Sequence, residues 1–128
     1  MSGSTEIERF ENWTVQMRKG ILDLCILGAL RHGEKYGYAL VKELVAVPGI
    51  GVSEGSIYPL LSRLKRQGLV STRLEESSEG PARKYYRLTE SGLQLAAEMA
   101  EHFAIMAKGV VGLTTAPAQA AETDQATR

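Results

Sequence analysis

Between Ser53 and Gly68 the chain reads Ser-Glu-Gly-Ser-Ile-Tyr-Pro-Leu-Leu-Ser-Arg-Leu-Lys-Arg-Gln-Gly, and here residue type and spacing together can do chemistry. Ile57, Leu60, Leu61 and Leu64 recur at i, i+3, i+4 and i+7, one stripe of an amphipathic helix. At about 100° per residue, the opposite side carries Gly55, Tyr58, Pro59, Ser62 and Arg66, with Arg63 and Lys65 on the flanks. One side is apolar enough to anchor in a core. The other is small, polar and cationic with one aromatic hydroxyl, which suits contact with phosphates and base edges. Tyr58 either hydrogen-bonds a phosphate or base edge there, or packs its ring against Pro59 and the hairpin beyond Gly68. Ser53 and Ser56 either donate to phosphate at the helix N-terminus, where the dipole favours anions, or serve as plain caps. Ser62, Arg63 and Arg66 face solvent on both readings. Arg66 lies directly opposite the apolar stripe, placed to read guanine bidentately or to touch a phosphate.

The elements that must position this face are legible around it. Thr14 to Leu30 reads as a helix whose residues from Ile21 to Leu30 are apolar on nearly every side. Such a helix is buried all round, which calls for a central position or an intermolecular contact. His32-Gly33 breaks the chain, and Tyr36 to Val45 gives a shorter helix with Tyr36, Leu40, Val41 and Leu44 on one face. Pro48-Gly49-Ile50-Gly51 is a turn. In the third helix Pro59 crowds the carbonyl of Gly55, which predicts a bend or an irregular first turn. Leu69 to Glu75 alternates as a strand, Ser77 to Pro81 is a turn cluster, and Arg83 to Leu88 returns with Tyr86 and Leu88 inward. Arg83 and Lys84 are then the hairpin cations for the phosphate backbone, or else charges that protect a solvated edge strand. Thr89 opens a last helix, in which Leu93, Ala96, Ala100, Phe103, Ala107 and Val110 follow a heptad spacing. Leu95, Met99, Met106 and Leu113 form a second stripe beside it, more apolar width than one neighbour needs.

Three helices closed by a hairpin make a mainly α fold, a winged helix-turn-helix with a C-terminal dimerisation helix. The expected division is an N-terminal arm over 1–13, which either starts a helix or packs across a partner, the winged domain over 14–88, the dimerisation helix over 89–113 and a disordered tail over 114–128.

Bulk properties narrow the classes. The 128 residues suffice for one domain with a real core. Net charge is zero, but from Glu54 to Arg87 seven Lys/Arg meet four Asp/Glu, +3, while Glu90 onward holds two against five, −3. The longest apolar run, Ile21 to Leu30, holds Asp23 and is too short to span a bilayer. The first thirteen residues carry three Glu and one Arg, unlike a secretory leader. Cys25 is the sole cysteine and reads as a buried hydrophobe, so disulfides are excluded. A cytoplasmic location is the expectation. His32 and His102 lack partners at metal spacing, so no metal or cofactor is expected. No nucleophile-base pair, phosphate loop or carboxylate pair supports an enzyme.

Seven short motifs occur in order along the chain: Lys19-Gly20-Ile21-Leu22, Tyr36-Gly37-Tyr38, Gly55-Ser56-Ile57-Tyr58-Pro59-Leu60-Leu61, Arg63-Leu64, Gly68-Leu69-Val70, Arg83-Lys84-Tyr85-Tyr86 and Leu88-Thr89-Glu90-Ser91-Gly92. In them the chain resembles the PadR family of bacterial transcriptional regulators, in its members with a short C-terminal segment. They run from about Lys19 to Gly92, and the combination in this order is specific where any one motif is weak. The resemblance implies a homodimer held by the first and last helices, with Ile21, Leu22, Met99, Phe103, Met106 and Val110 as candidate interface residues. It implies a repressor of neighbouring genes, on a pseudo-palindromic operator, that lets go when a small molecule or stress signal acts. Trp13, Phe103 and Met106 are candidates for lining an effector pocket, or are simple core. Two departures stand out: the wing tip carries Glu75, Glu76 and Glu79, and the acidic tail and unmatched N-terminal arm have no role that the resemblance implies. With the neutral net charge, the acidic wing favours the rival reading, a winged-helix protein-interaction module that does not bind DNA.

Overall fold

The structure is a computed structural model that describes residues 2–115, with side chains from residue 5 onward. Helix α1 spans Ser2–Ala29, strand β1 Lys35–Tyr36, helix α2 Gly37–Val45, helix α3 Glu54–Arg66, strands β2 Val70–Ser77 and β3 Gly80–Leu88, and helix α4 Glu90–Thr114. The three strands form one antiparallel sheet in the order β1-β3-β2. From residue 116 on, the expected tail lies outside the described residues.

The core forms where the apolar faces of these elements meet. α1 contributes Leu22, Ile26 and Leu27, with Leu30 from the turn that follows it, α2 Leu40, Val41 and Leu44, and α3 Ile57, Leu61 and Leu64. Ile50 and Val52 enter from the loop before α3, Val70, Tyr86 and Leu88 from the sheet, and Ala96 from α4. The inward alternation of Tyr86 and Leu88 and the stripe on α3 are as their spacing predicts. Leu60 is only partly buried.

Two chain junctions explain motifs that periodicity alone leaves unexplained. α3 ends on Gly68 at φ 76°, with Gly68 N–H donating to the Lys65 carbonyl at 3.0 Å and Leu69 N–H to that of Leu64 at 3.0 Å. These are the paired bonds of a Schellman stop, and glycine takes the left-handed position without strain. Thr89 then fastens the start of α4 to that stop. Its hydroxyl donates to the Gly68 carbonyl at 2.6 Å and accepts the Gly92 N–H at 3.0 Å, while its own N–H reaches the Leu69 carbonyl at 3.1 Å. At the other junction Gly37 lets α2 begin against the sheet: a Cβ there would lie 2.9 Å from the Tyr86 ring.

Several expectations are corrected. α1 begins at Ser2 and not at Thr14, so the first of the two readings of residues 1–13 holds and from Ser2 they are part of the helix; Ile7 and Phe10 carry its apolar spacing outward from Met17. The sheet has a third strand, β1, too short to show a period of its own. The hairpin is longer than expected, with only Ser78-Glu79 as its turn. α3 is unbroken through Pro59, whose lost hydrogen bond falls on the exposed Gly55, where water can reach the carbonyl.

Candidate nucleic-acid interface

The outer side of α3 arises from its amphipathic spacing: with Ile57, Leu61 and Leu64 locked in the core, the residues half a turn away must face solvent. Gly55, Tyr58, Pro59, Ser62 and Arg66 are all exposed, Tyr58 at 43 %. Among the described residues neither Ser62 nor Arg66 makes an ion pair or a side-chain hydrogen bond with the rest of the chain. Their donors stay free. Tyr58 sits near Tyr86, and burial, with that neighbour adding to it, pushes the Tyr86 hydroxyl up.

Two residues behave differently from their expected roles. Ser53 does occupy the N-cap of α3 but does not cap it with its side chain; its hydroxyl lies 2.9 Å from that of Ser56. Arg63, expected in solvent, turns back to α1, where both its terminal nitrogens reach Asp23, at 2.6 and 3.2 Å. That partner holds the guanidinium more firmly protonated. The helical wheel places Arg63 on a flank, and the flank here faces α1.

The hairpin brings its cations to the same end of the sheet. Arg83 lies over the Tyr36 ring at 5.1 Å and the Lys84 ammonium 5.7 Å from the Tyr86 ring, both exposed, so aromatic faces steady them without neutralising them. Arg73, which sequence reasoning did not single out, donates to both carboxylate oxygens of Glu34 at 2.8 and 2.6 Å and stacks on Tyr85 at 4.6 Å. It holds the Glu34 carboxyl below its ordinary range and braces β2 against the turn before β1. Their separation in sequence hid this pair. Lys19 of α1 borders, with Ser53 and Ser56, a cleft of about 450 Å³ at the head of α3.

Away from this face, α1 and α4 enclose an open apolar groove of about 290 Å³, lined among others by Ile21, Leu24, Met99, Phe103 and Met106. Trp13, grouped with Phe103 and Met106 as a pocket residue, is not part of it; it stands exposed on α1 beside Phe10, ring centroids 6.0 Å apart. Leu22, expected at a subunit contact, is 7 % exposed and belongs to this chain's own core. Ile21 and Met99 are partly buried, and Phe103, Met106 and Val110 are exposed. Among the described residues, no helix is long and apolar enough to cross a membrane.

A short helix pair presenting its second member, backed by a three-stranded wing and followed by a long helix, defines a winged helix-turn-helix protein. The model of the transcriptional regulator PadR-like family matches residues 26–98, and the chain belongs to that family of regulators rather than to an enzyme family. It is similar to a PadR-like transcriptional regulator from Bacillus cereus, 41 % identical, covering 77 % of this chain and 96 % of that one at a TM-score of 0.69. A PadR family transcriptional regulator from Eggerthella lenta is 32 % identical over 87 % of this chain and 96 % of its own, TM-score 0.70. Bacillus subtilis PadR, solved in complex with operator DNA, is 32 % identical over 62 % of this chain and 46 % of its own, TM-score 0.55.

Proposed function

We propose that this regulator is a homodimeric, sequence-specific DNA-binding repressor that leaves its operator when a small molecule or stress signal acts. The observation that carries the reading is the outer side of α3, where Tyr58, Ser62 and Arg66 are exposed and the two polar side chains beside the tyrosine are uncommitted. A relative solved with operator DNA supports the same direction. In a two-fold dimer, paired α3 helices enter successive major grooves about 34 Å apart, with Arg83 and Lys84 on the flanking phosphates. Unpaired apolar residues on α1 and α4 are the subunit contact, and the groove between those helices is where an apolar effector would sit.

Arg66 and Lys84 separate base reading from phosphate attachment. Arg66→Ala is expected to lose about 1–3 kcal/mol of discrimination between operator and mismatched duplex. Lys84→Ala is expected to weaken every sequence alike and reduce the salt slope by about one. Fluorescence anisotropy on matched and mismatched duplexes checks both. Wild-type behaviour in both variants would remove this face from the site, and absence of duplex binding would leave the protein-interaction reading that the acidic wing favours.

A further inference from the structure

Helix α1 grips the recognition unit at two points. Toward the C-terminal half of α3, Asp23 takes both terminal nitrogens of Arg63, and Oε1 of Gln67, the C-cap of α3, accepts from the same guanidinium at 3.4 Å. Ahead of α3, Arg18 Nε donates to the Ile50 carbonyl at 2.7 Å. The Arg18 guanidinium also crosses Gly51, φ 60°, so closely that a Cβ there would lie 2.9 Å from Nη2. A forked carboxylate–guanidinium pair fixes direction as well as distance. Both partners are about one-third exposed, at 34 % and 35 %, so the pair adds little to stability. Its geometry is better matched to holding an angle than to holding the fold.

On α1, Ile21 and Leu24 line the groove shared with α4, while Asp23 between them reaches α3. One helix therefore meets the proposed subunit contact on one side and the recognition helix on the other. We propose that Asp23 is a positioning residue for DNA recognition: with Arg18 it holds α3 at a fixed angle to α1 and so sets the half-site separation that the dimer accepts. The proposal rests on the homodimeric DNA-binding reading above. Arg63 then acts through the orientation of α3 and not through contact with the duplex.

The test uses the full chain and the duplex that the wild-type protein selects from a random-sequence library, with derivatives one base pair shorter and longer between half-sites. Asp23→Asn keeps the shape of the side chain and removes its charge. It is expected to bind the selected duplex on the order of tenfold more weakly and to distinguish less among the three spacings. Its salt slope should stay wild type, because no phosphate contact is lost. The double variant Asp23→Asn with Arg63→Gln should bind no more weakly than either single one, since the two residues act as a unit. Wild-type affinity and spacing preference in Asp23→Asn overturn the proposal. So does tighter binding by Asp23→Asn together with a shallower salt slope in Arg63→Gln, which makes Arg63 a phosphate contact restrained by Asp23. Circular-dichroism melting shows whether Asp23→Asn folds; if it does not, Arg18→Gln carries the same comparison, and an unchanged spacing preference there overturns the proposal. A wild-type protein that selects no duplex defeats the regulator reading itself, a result distinct from all of these.

Discussion

Gly92→Ala is expected to destabilise this fold more than a methyl added at any other described glycine. A Cβ at position 92 would lie 2.0 Å from the Leu69 carbonyl oxygen and 3.0 Å from its carbon, a backbone obstacle that no rotamer change relieves. The closest approaches at Gly37 and Gly51 are longer, 2.9 Å each, and are to side chains, the Tyr86 ring and the Arg18 guanidinium, rather than to backbone. Nor can α4 back away freely. Its start is tied to the end of α3 through the Thr89 hydroxyl on Gly68 and the Thr89 N–H on Leu69. Separating them breaks both bonds and loosens Leu88 and Ala96 from the core. A loss of about 3 kcal/mol or more is expected, lowering the melting temperature by roughly 10 °C. Thermal unfolding followed by circular dichroism measures it; a shift of only a degree or two would mean that the junction is looser than described.

Met106→Glu is expected to separate the subunits and to abolish operator binding with them. Met106 is 48 % exposed in the single chain, beside Phe103 and Val110 on α4, while Ile7, Phe10 and Met17 project from α1. At about 100° per residue these α1 positions share one side with Ile21 and Leu24, so the apolar surface continues beyond the part that α4 covers. A carboxylate placed in such a contact must be desolvated without a partner, a cost of several kcal/mol. Because the residue is exposed in the protomer, stability of the fold itself should change little. Sedimentation velocity should then show a shift from dimer to monomer by about a hundredfold or more in dissociation constant. Operator affinity should fall in parallel, since each protomer alone reaches one half-site. A Met106→Glu protein that remains dimeric and binds as before would place the subunit contact elsewhere.

Helix α3 is legible because one period of apolar residues determines both what is buried and what is left outside. Ile57, Leu61 and Leu64 on one side imply Tyr58, Ser62 and Arg66 on the other, and the same reasoning placed Tyr86 and Leu88 inward on β3. What stayed hidden depends on contacts between segments far apart in the chain. A wheel gives the angle of Arg63 but not the presence of Asp23, forty positions earlier, beside it. Lys35–Tyr36 has only two residues and becomes a strand by pairing with Tyr86 and Tyr85. Leu22 read as an interface residue because α1 is apolar on nearly every side there, and periodicity cannot say which side meets its own chain. The N-terminal extension of α1 carries its signal in Ile7 and Phe10, in step with Met17 but diluted by the charged residues between them.

Wild-type binding to its selected duplex, measured across a range of salt concentrations, is the sharpest probe of the free surface of α3. Two protomers should occupy each duplex, and affinity should fall linearly on logarithmic axes with a slope of about −0.9 for each phosphate engaged. The preference for that duplex over an unrelated one should persist at every concentration. Binding that ignores salt, or that treats all duplexes alike, is incompatible with an α3 face that reads DNA.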